Sequence, residues 1–195
     1  MIKKENIFFI VLAFAMALIV ALSNYLVQFP VSYFDLENIL TYGAFSYPIA
    51  FLITDLANRK YGKKIAKKIV YIGFILGVAL TIFFSTDFSN LISQRIAVGS
   101  GSAFLIAQLL DVHIFDRLRK KVWFVAPLVS STIGSVIDTF LFFSIAFYGT
   151  GINWLTLSIG DLSVKIIVTL LMLIPFRILL FRIHEITSTK KKINV

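Results

Sequence analysis

Asp138 lies close to the middle of an apolar run from Val122 to Tyr148, and Ser131, Ser135 and Asp138 fall at i, i+4 and i+7, a single polar stripe on one helical face. Thr132 and Thr139 widen the stripe. A charged group at the centre of a bilayer costs at least about 2.5 kcal/mol on insertion scales, so a carboxylate there marks a functional site. The serines and threonines serve equally well as helix-helix hydrogen-bond partners. In the last apolar run Asp161 and Lys165 stand at i, i+4, the spacing of a local ion pair near the outer interface, which serves either a snorkelling lysine with its neighbour or a role in binding. Arg95 opens the fourth run at the same outer level, and Gln108 and Asp111 follow in that run one turn apart. Ser46, Tyr47 and Pro48 sit at the centre of the second run, where the proline frees a carbonyl near Ala44 that protein or water must satisfy. Asp55, with Asn58 and Arg59 close behind, is an inner gate or a helix-end ion pair, and Asn24 lies near the outer end of the first run. Carboxylates, amides, hydroxyls and cations among many aromatics suit a flat, neutral, hydrogen-bonding molecule such as a base. An aspartate accepts two N–H donors from a guanine-like edge while an aromatic ring stacks on its face.

These side chains need helices that cross a membrane. The chain has 195 residues, 58% hydrophobic and 15% charged, with twenty Phe and a mean hydropathy of +0.90, far from the roughly one-quarter charged residues of soluble domains. Six stretches approach the roughly 20 apolar residues a span requires: 7–27, 39–56, 69–85, 95–112, 122–148 and 161–183. The expected fold is all-α: a polytopic membrane protein with six transmembrane helices in one compact bundle, residues 1–195 forming a single integral membrane domain. Lys3 and Lys4 precede the first run as in a secretory signal, but the run is longer than an h-region and lacks a cleavage site, so it is expected to be a retained helix.

The formal net charge of +9 is distributed by loop. Arg59, Lys60, Lys63, Lys64, Lys67 and Lys68 follow the second span, Arg117, Arg119, Lys120 and Lys121 the fourth, and Lys190 to Lys192 close the chain, whereas segments 28–38, 86–94 and 149–160 hold no Lys or Arg. By the positive-inside rule both termini are expected in the cytoplasm, the basic residues acting as anchors on anionic lipid rather than as a nucleic-acid surface. No soluble domain remains between the spans. Ectodomain receptors and pumps with their own nucleotide domain are thereby excluded, and no G-x-x-x-x-G-K-[ST] loop occurs. The absence of cysteine removes disulfides, thiolate metal sites and cysteine nucleophiles. The only histidines, His113 and His184, fall at cytoplasmic helix ends and complete no catalytic constellation, so neither an enzyme nor a cofactor is expected.

The ordered stretches Ser23-Asn24-Tyr25-Leu26-Val27-Gln28, Gly43-Ala44-Phe45-Ser46-Tyr47-Pro48 running to Phe51-Leu52-Ile53-Thr54-Asp55-Leu56, Arg95-Ile96-Ala97 through Ala107-Gln108-Leu109-Leu110-Asp111-Val112, and Ser135-Val136-Ile137-Asp138-Thr139 resemble the bacterial queuosine precursor transporters, also called the vitamin uptake transporter family. The resemblance covers nearly the whole chain. It implies a six-span inner-membrane importer of a deazaguanine base, preQ0 (7-cyano-7-deazaguanine) or preQ1, for tRNA queuosine salvage. Under it Asn24, Gln108 and Asp138 read the base edge and Arg95, Asp161 and Lys165 shape the outer approach or gate; Ser46, Tyr47 and Ser135 are further substrate-binding candidates. The family tends to carry aromatics between its last-span Asp and Lys; here Leu162, Ser163 and Val164 stand there, which removes a stacking surface from that span. The carrier reading needs no ATPase partner and leaves the oligomeric state open. A second reading is a substrate-binding subunit of an energy-coupling factor transporter, docking its partner through a ridge of Ala13, Ala17 and Ala21.

Overall fold

A computed structural model of the chain describes the backbone of residues 4–33, 36–84 and 86–193 and the side chains of 7–33, 36–37, 39–84 and 86–181. Six helices account for most of it: α1 (Lys4–Leu26), α2 (Gly43–Tyr61), α3 (Lys63–Phe84), α4 (Leu91–Leu118), α5 (Val125–Phe147) and α6 (Trp154–Ile193). Between α1 and α2 lie a single 3-10 turn, Leu36–Asn38, and an isolated antiparallel bridge from Pro30 to Thr41. The expected all-α bundle is what forms. Lys3, Ser85 and the side chains of His184 and Lys190 to Lys192 lie outside the described residues.

Five of the helices are long and apolar enough to cross a membrane on composition alone; α2 is the exception. At 19 residues it measures about 28 Å, yet it carries Ser46, Thr54, Asp55 and Asn58, which lipid cannot hydrogen-bond. The bundle resolves this by placing α2 at its axis. It packs against each of the other five helices, and 13 of its residues are buried, those four among them.

Close helix approach is achieved with glycine. Gly73 and Gly77 of α3 stand at the G-x-x-x-G spacing of membrane helix pairs, and a Cβ built on them would lie 2.2 Å from Met16 Cγ and 2.6 Å from Val20 Cβ of α1. The backbone of Ala17 lies in this seam. The alanine ridge is therefore engaged at its centre by the chain's own third helix, and ordinary intramolecular packing accounts for it.

The helix starts differ from those expected in a way that matters for the site. The left-handed glycines Gly149 (φ 76°) and Gly151 (φ 81°) turn the chain after α5, Asn153 Oδ1 accepts from the Thr156 N–H at 3.4 Å, and α6 begins at Trp154 rather than at Asp161. Asp161 and Lys165 thus lie about 10 and 16 Å along the helix, at mid-depth rather than at the outer interface. Asn90 caps α4, accepting from Ile92 and Ser93 N–H groups at 2.9 and 3.3 Å, so Arg95 sits a turn inside that helix. The loops at one end of the bundle carry the basic residues that follow α2 and α4; that end is called here the basic end.

Candidate functional site

At mid-depth α5 and α6 hold one lysine between two carboxylates. Lys165 Nζ donates to Asp138 Oδ2 at 2.9 Å, to Asp161 Oδ2 at 2.6 Å and to Thr139 Oγ1 at 3.0 Å, which uses all three ammonium protons. Thr139 in turn donates to Asp161 Oδ2 at 2.9 Å. The expected i, i+4 pair on α6 is present, and Asp138 joins it from the neighbouring helix. Exposures of 2% for Asp138, 1% for Asp161 and 2% for Lys165 mark the cluster as occluded from both solutions. Two carboxylates against one ammonium leave it formally anionic.

The cluster is wired to α1, α2 and α3 through Tyr47. The ring lies 4.8 Å from Lys165 Nζ, a cation-π contact, while its hydroxyl donates to Asn24 Oδ1 at 2.8 Å. Asn24 Nδ2 donates to Thr81 Oγ1 at 2.9 Å, and beside them Ser23 and Ser46 share a hydroxyl hydrogen bond of 2.7 Å. Asn24, Tyr47, Asp138, Asp161 and Lys165 therefore form one connected set, with Ser46 on its flank. Thr81 is a member that sequence reasoning missed. Its only signal is a hydroxyl in an apolar run, and such hydroxyls commonly satisfy their own helix, as Thr81 also does by donating to Gly77 O at 2.9 Å.

The remaining candidates lie elsewhere. Closer to the basic end, Asp55 accepts from Ser130 and Ser131 at 3.4 and 3.2 Å, and Thr54 donates to Gln108 Oε1. Asp111 is 0% exposed and neither carboxylate oxygen meets a hydrogen-bond partner. Gln108 and Asp111 thus belong to this second cluster and not to the lysine centre. Ser135, buried with its hydroxyl unpartnered, stands between the two on the α5 stripe. Arg59 makes no ion pair with Asp55 among the described residues. It donates to Arg119 O at 2.6 Å while Arg119 donates back to Arg59 O at 3.2 Å, clasping the ends of α2 and α4. Arg95 donates to Ile145 O and Tyr148 O at 3.0 and 2.8 Å, satisfying carbonyls at the end of α5, and does not reach the lysine centre. His113 shares a 2.6 Å hydrogen bond with Lys63 at the basic end.

Space large enough for a two-ring molecule occurs at the end opposite the basic loops. A hollow of about 610 Å³ there has Gln28, Asn90 and Asn153 on its walls and Val27, Ile96 and Phe147 among its apolar residues. By helical spacing Asn24 and Phe143 stand one turn below Val27 and Phe147, and Asp161 one turn below Leu157, which also lines the hollow. An apolar layer about one turn thick separates the hollow from the lysine centre.

A bundle of long apolar helices with a charged, hydrogen-bonded centre buried midway along its spans is a multi-pass membrane protein. The family model described as "Putative vitamin uptake transporter" matches residues 41–180. The chain is 34% identical over 197 residues to the queuosine precursor transporter of Escherichia coli K12, covering 91% of this chain and 88% of that one. It is 35% identical over 194 residues to the "Probable queuosine precursor transporter" of Haemophilus influenzae, with 84% and 82% covered. A Bacillus subtilis protein of the same description is 30% identical over 156 residues, 68% of each chain. No solved structure matches significantly. The chain belongs to the queuosine precursor transporter family, a family of transporters and not of enzymes.

Proposed function

We propose that this protein imports a queuosine precursor, a deazaguanine base such as preQ0 or preQ1, across the bacterial inner membrane by alternating access, with the basic end and both termini in the cytoplasm. The observation that carries the reading is the occluded centre in which Asp138 and Asp161 share Lys165 beneath the ring of Tyr47. A guanine-like edge offers adjacent N–H donors. It competes with the lysine ammonium for a carboxylate, and the displaced ammonium keeps its second carboxylate, so no buried charge is stranded during the exchange. Asn24 supplies an amide for the same edge once Tyr47 moves, and the tyrosine ring offers the stacking face that Leu162 to Val164 do not. The 610 Å³ hollow at the opposite end is the approach, and the apolar layer at Val27 and Phe147 is the barrier that opens between them.

Purified protein in liposomes, supplied with labelled deazaguanine base, tests this. Uptake above empty vesicles that unlabelled preQ0 or preQ1 suppresses is expected, and folded protein giving no such uptake overturns the reading. Stronger suppression by one of the two bases identifies the substrate.

A further inference from the structure

The inner cluster is left without a role by the site above, and its electrostatics do not close. Asp55 (α2) and Asp111 (α4) are 2% and 0% exposed and lie close enough to interact, as like charges when both are ionised and through a shared hydrogen bond when one carries a proton. The hydroxyls of Ser130 and Ser131 donate to Asp55 at 3.4 and 3.2 Å, and Ser130 lies close to Asp111 as well. The other charge acting on Asp55 is Arg59, one turn along α2, whose guanidinium donates to Arg119 O and lies 5.3 Å from the Phe115 ring rather than on a carboxylate. Among the described residues, helices α5 and α6 bring no charge to the cluster. They bring Ser131 and Thr169, which with Asp55, Pro48, Pro127 and Phe176 line an internal hollow of about 10 Å³, the size of about one water molecule. Thr169 Oγ1, 4% exposed, has no hydrogen-bond partner, so an oxygen on the wall facing Asp55 stands ready to bind.

The nearest unpartnered donors, Arg59 Nε and Nη2 and Gln108 Nε2, make no hydrogen bond to either carboxylate, and two buried carboxylates without an ion pair among the described residues favour uptake of a cation in a low-dielectric layer. We propose that this cluster binds one small monovalent cation exchanged with the solution at the basic end: either a proton held between Asp55 and Asp111, or Na⁺ seated in the hollow against Asp55, Ser131 and Thr169, a hollow that Asp111 does not line. Potential ligands are all oxygen, the chemistry of hard cations. The site is separated from the lysine centre by the α5 stripe: Ser131 bonds Asp55, Asp138 bonds Lys165, and they lie seven residues or about 10 Å apart along the helix. The unpartnered hydroxyl of Ser135 lies between them. A single rigid helix thus touches both the cation and the substrate centre, which gives binding at one a lever on the other. Occupancy of the cation site is independent of the transport reading; what the cation drives rests on it.

Occupancy is tested on the purified full chain. If the cation is Na⁺, radiolabelled sodium binds, and Asp55→Asn and Thr169→Val each weaken it at least about tenfold, a loss of about 1.4 kcal/mol. If it is a proton, sodium does not bind, the infrared band of a protonated carboxyl is present, and Asp55→Asn or Asp111→Asn changes it whereas Thr169→Val does not. Either pattern supports the site. Neither signal in the wild type, or signals indifferent to whichever of these variants fold, overturns it. Coupling is read in liposomes. Counterflow exchange of labelled base reports transport itself, and its absence counts against the transport reading alone. Given exchange, a tenfold inward gradient of the bound cation is expected to support up to about tenfold accumulation at one-to-one stoichiometry, falling to simple equilibration in Asp55→Asn while exchange persists. Given exchange, the absence of accumulation under either cation gradient overturns the coupling role.

Discussion

Lys165 is the residue on which the mid-membrane centre depends, because it is the counter-charge to two buried carboxylates. Removing one partner of a buried ion pair strands the other, at about 3–5 kcal/mol. Lys165→Met is therefore expected to lower the thermal midpoint in detergent sharply or to prevent recovery of folded protein. Asp138→Asn leaves Lys165 paired with Asp161, so near-normal stability with strongly reduced uptake is expected. A variant that transports like the wild type would make Asp138 a structural residue only. Tyr47→Phe keeps the ring over Lys165 but leaves Asn24 Oδ1 without its donor, an unsatisfied buried acceptor costing about 1–3 kcal/mol; a smaller cost in the same melting assay would show that Asn24 finds another partner. That Asp138, Asp161 and Lys165 are exceptional is legible in the sequence, since each stands in an apolar run. That they meet is not. Residues 154–160 include Thr156, Ser158 and Gly160, which read as a connection; in the structure they are helical, Ser158 donating to Leu155 O at 2.8 Å. Those two turns carry Asp161 and Lys165 down to the level of Asp138.

Each helix carries its packing instructions in its small and polar residues. The polar content of α2 lowers its hydropathy below that of a lipid-facing span, and the same property sends it to the axis, so the weakest span signal marks the most central helix. Gly73 and Gly77 stand at G-x-x-x-G spacing, but that spacing does not reveal which helix they face; rotation is set by packing. Where glycine faces backbone or a β-branched side chain, substitution is costly. Gly77→Leu forces α3 away from Val20 and the Ala17 carbonyl, with an expected loss of at least about 1–3 kcal/mol. Gly160→Ala puts a Cβ 2.1 Å from Ile39 O, a backbone atom that cannot turn aside, and is expected to destabilise the contact between α6 and the segment before α2. Gly101→Ala meets only ordinary contacts with Phe74 and Val78 at 3.6 Å and serves as the control. Thermal midpoints of the three variants give the order; equal losses would show that helix propensity rather than seam packing governs these positions.

At the scale of the molecule, the asymmetry of charge and the asymmetry of space point in opposite directions, and together they predict a direction for the proposed transport. One end carries the basic residues after α2 and α4; the other end carries the 610 Å³ hollow and no Lys or Arg in its connecting segments. By the positive-inside rule the basic end is expected in the cytoplasm; under the proposed import of a base, the hollow would then face the compartment from which the base arrives. The cysteine-free sequence makes this directly measurable. Ser89→Cys and Ile152→Cys, exposed at the uncharged end, are expected to react with a membrane-impermeant maleimide in intact spheroplasts, whereas Lys64→Cys and Lys121→Cys, exposed at the basic end, react only after permeabilisation. Because Ile152 lines the hollow and Ser89 does not, saturating deazaguanine base is expected to slow labelling at position 152 and leave position 89 unchanged. Labelling from the opposite side would reverse the orientation and with it the import direction. Equal labelling with and without base would dissociate the hollow from the path of the substrate, leaving the lysine centre to be reached by another route.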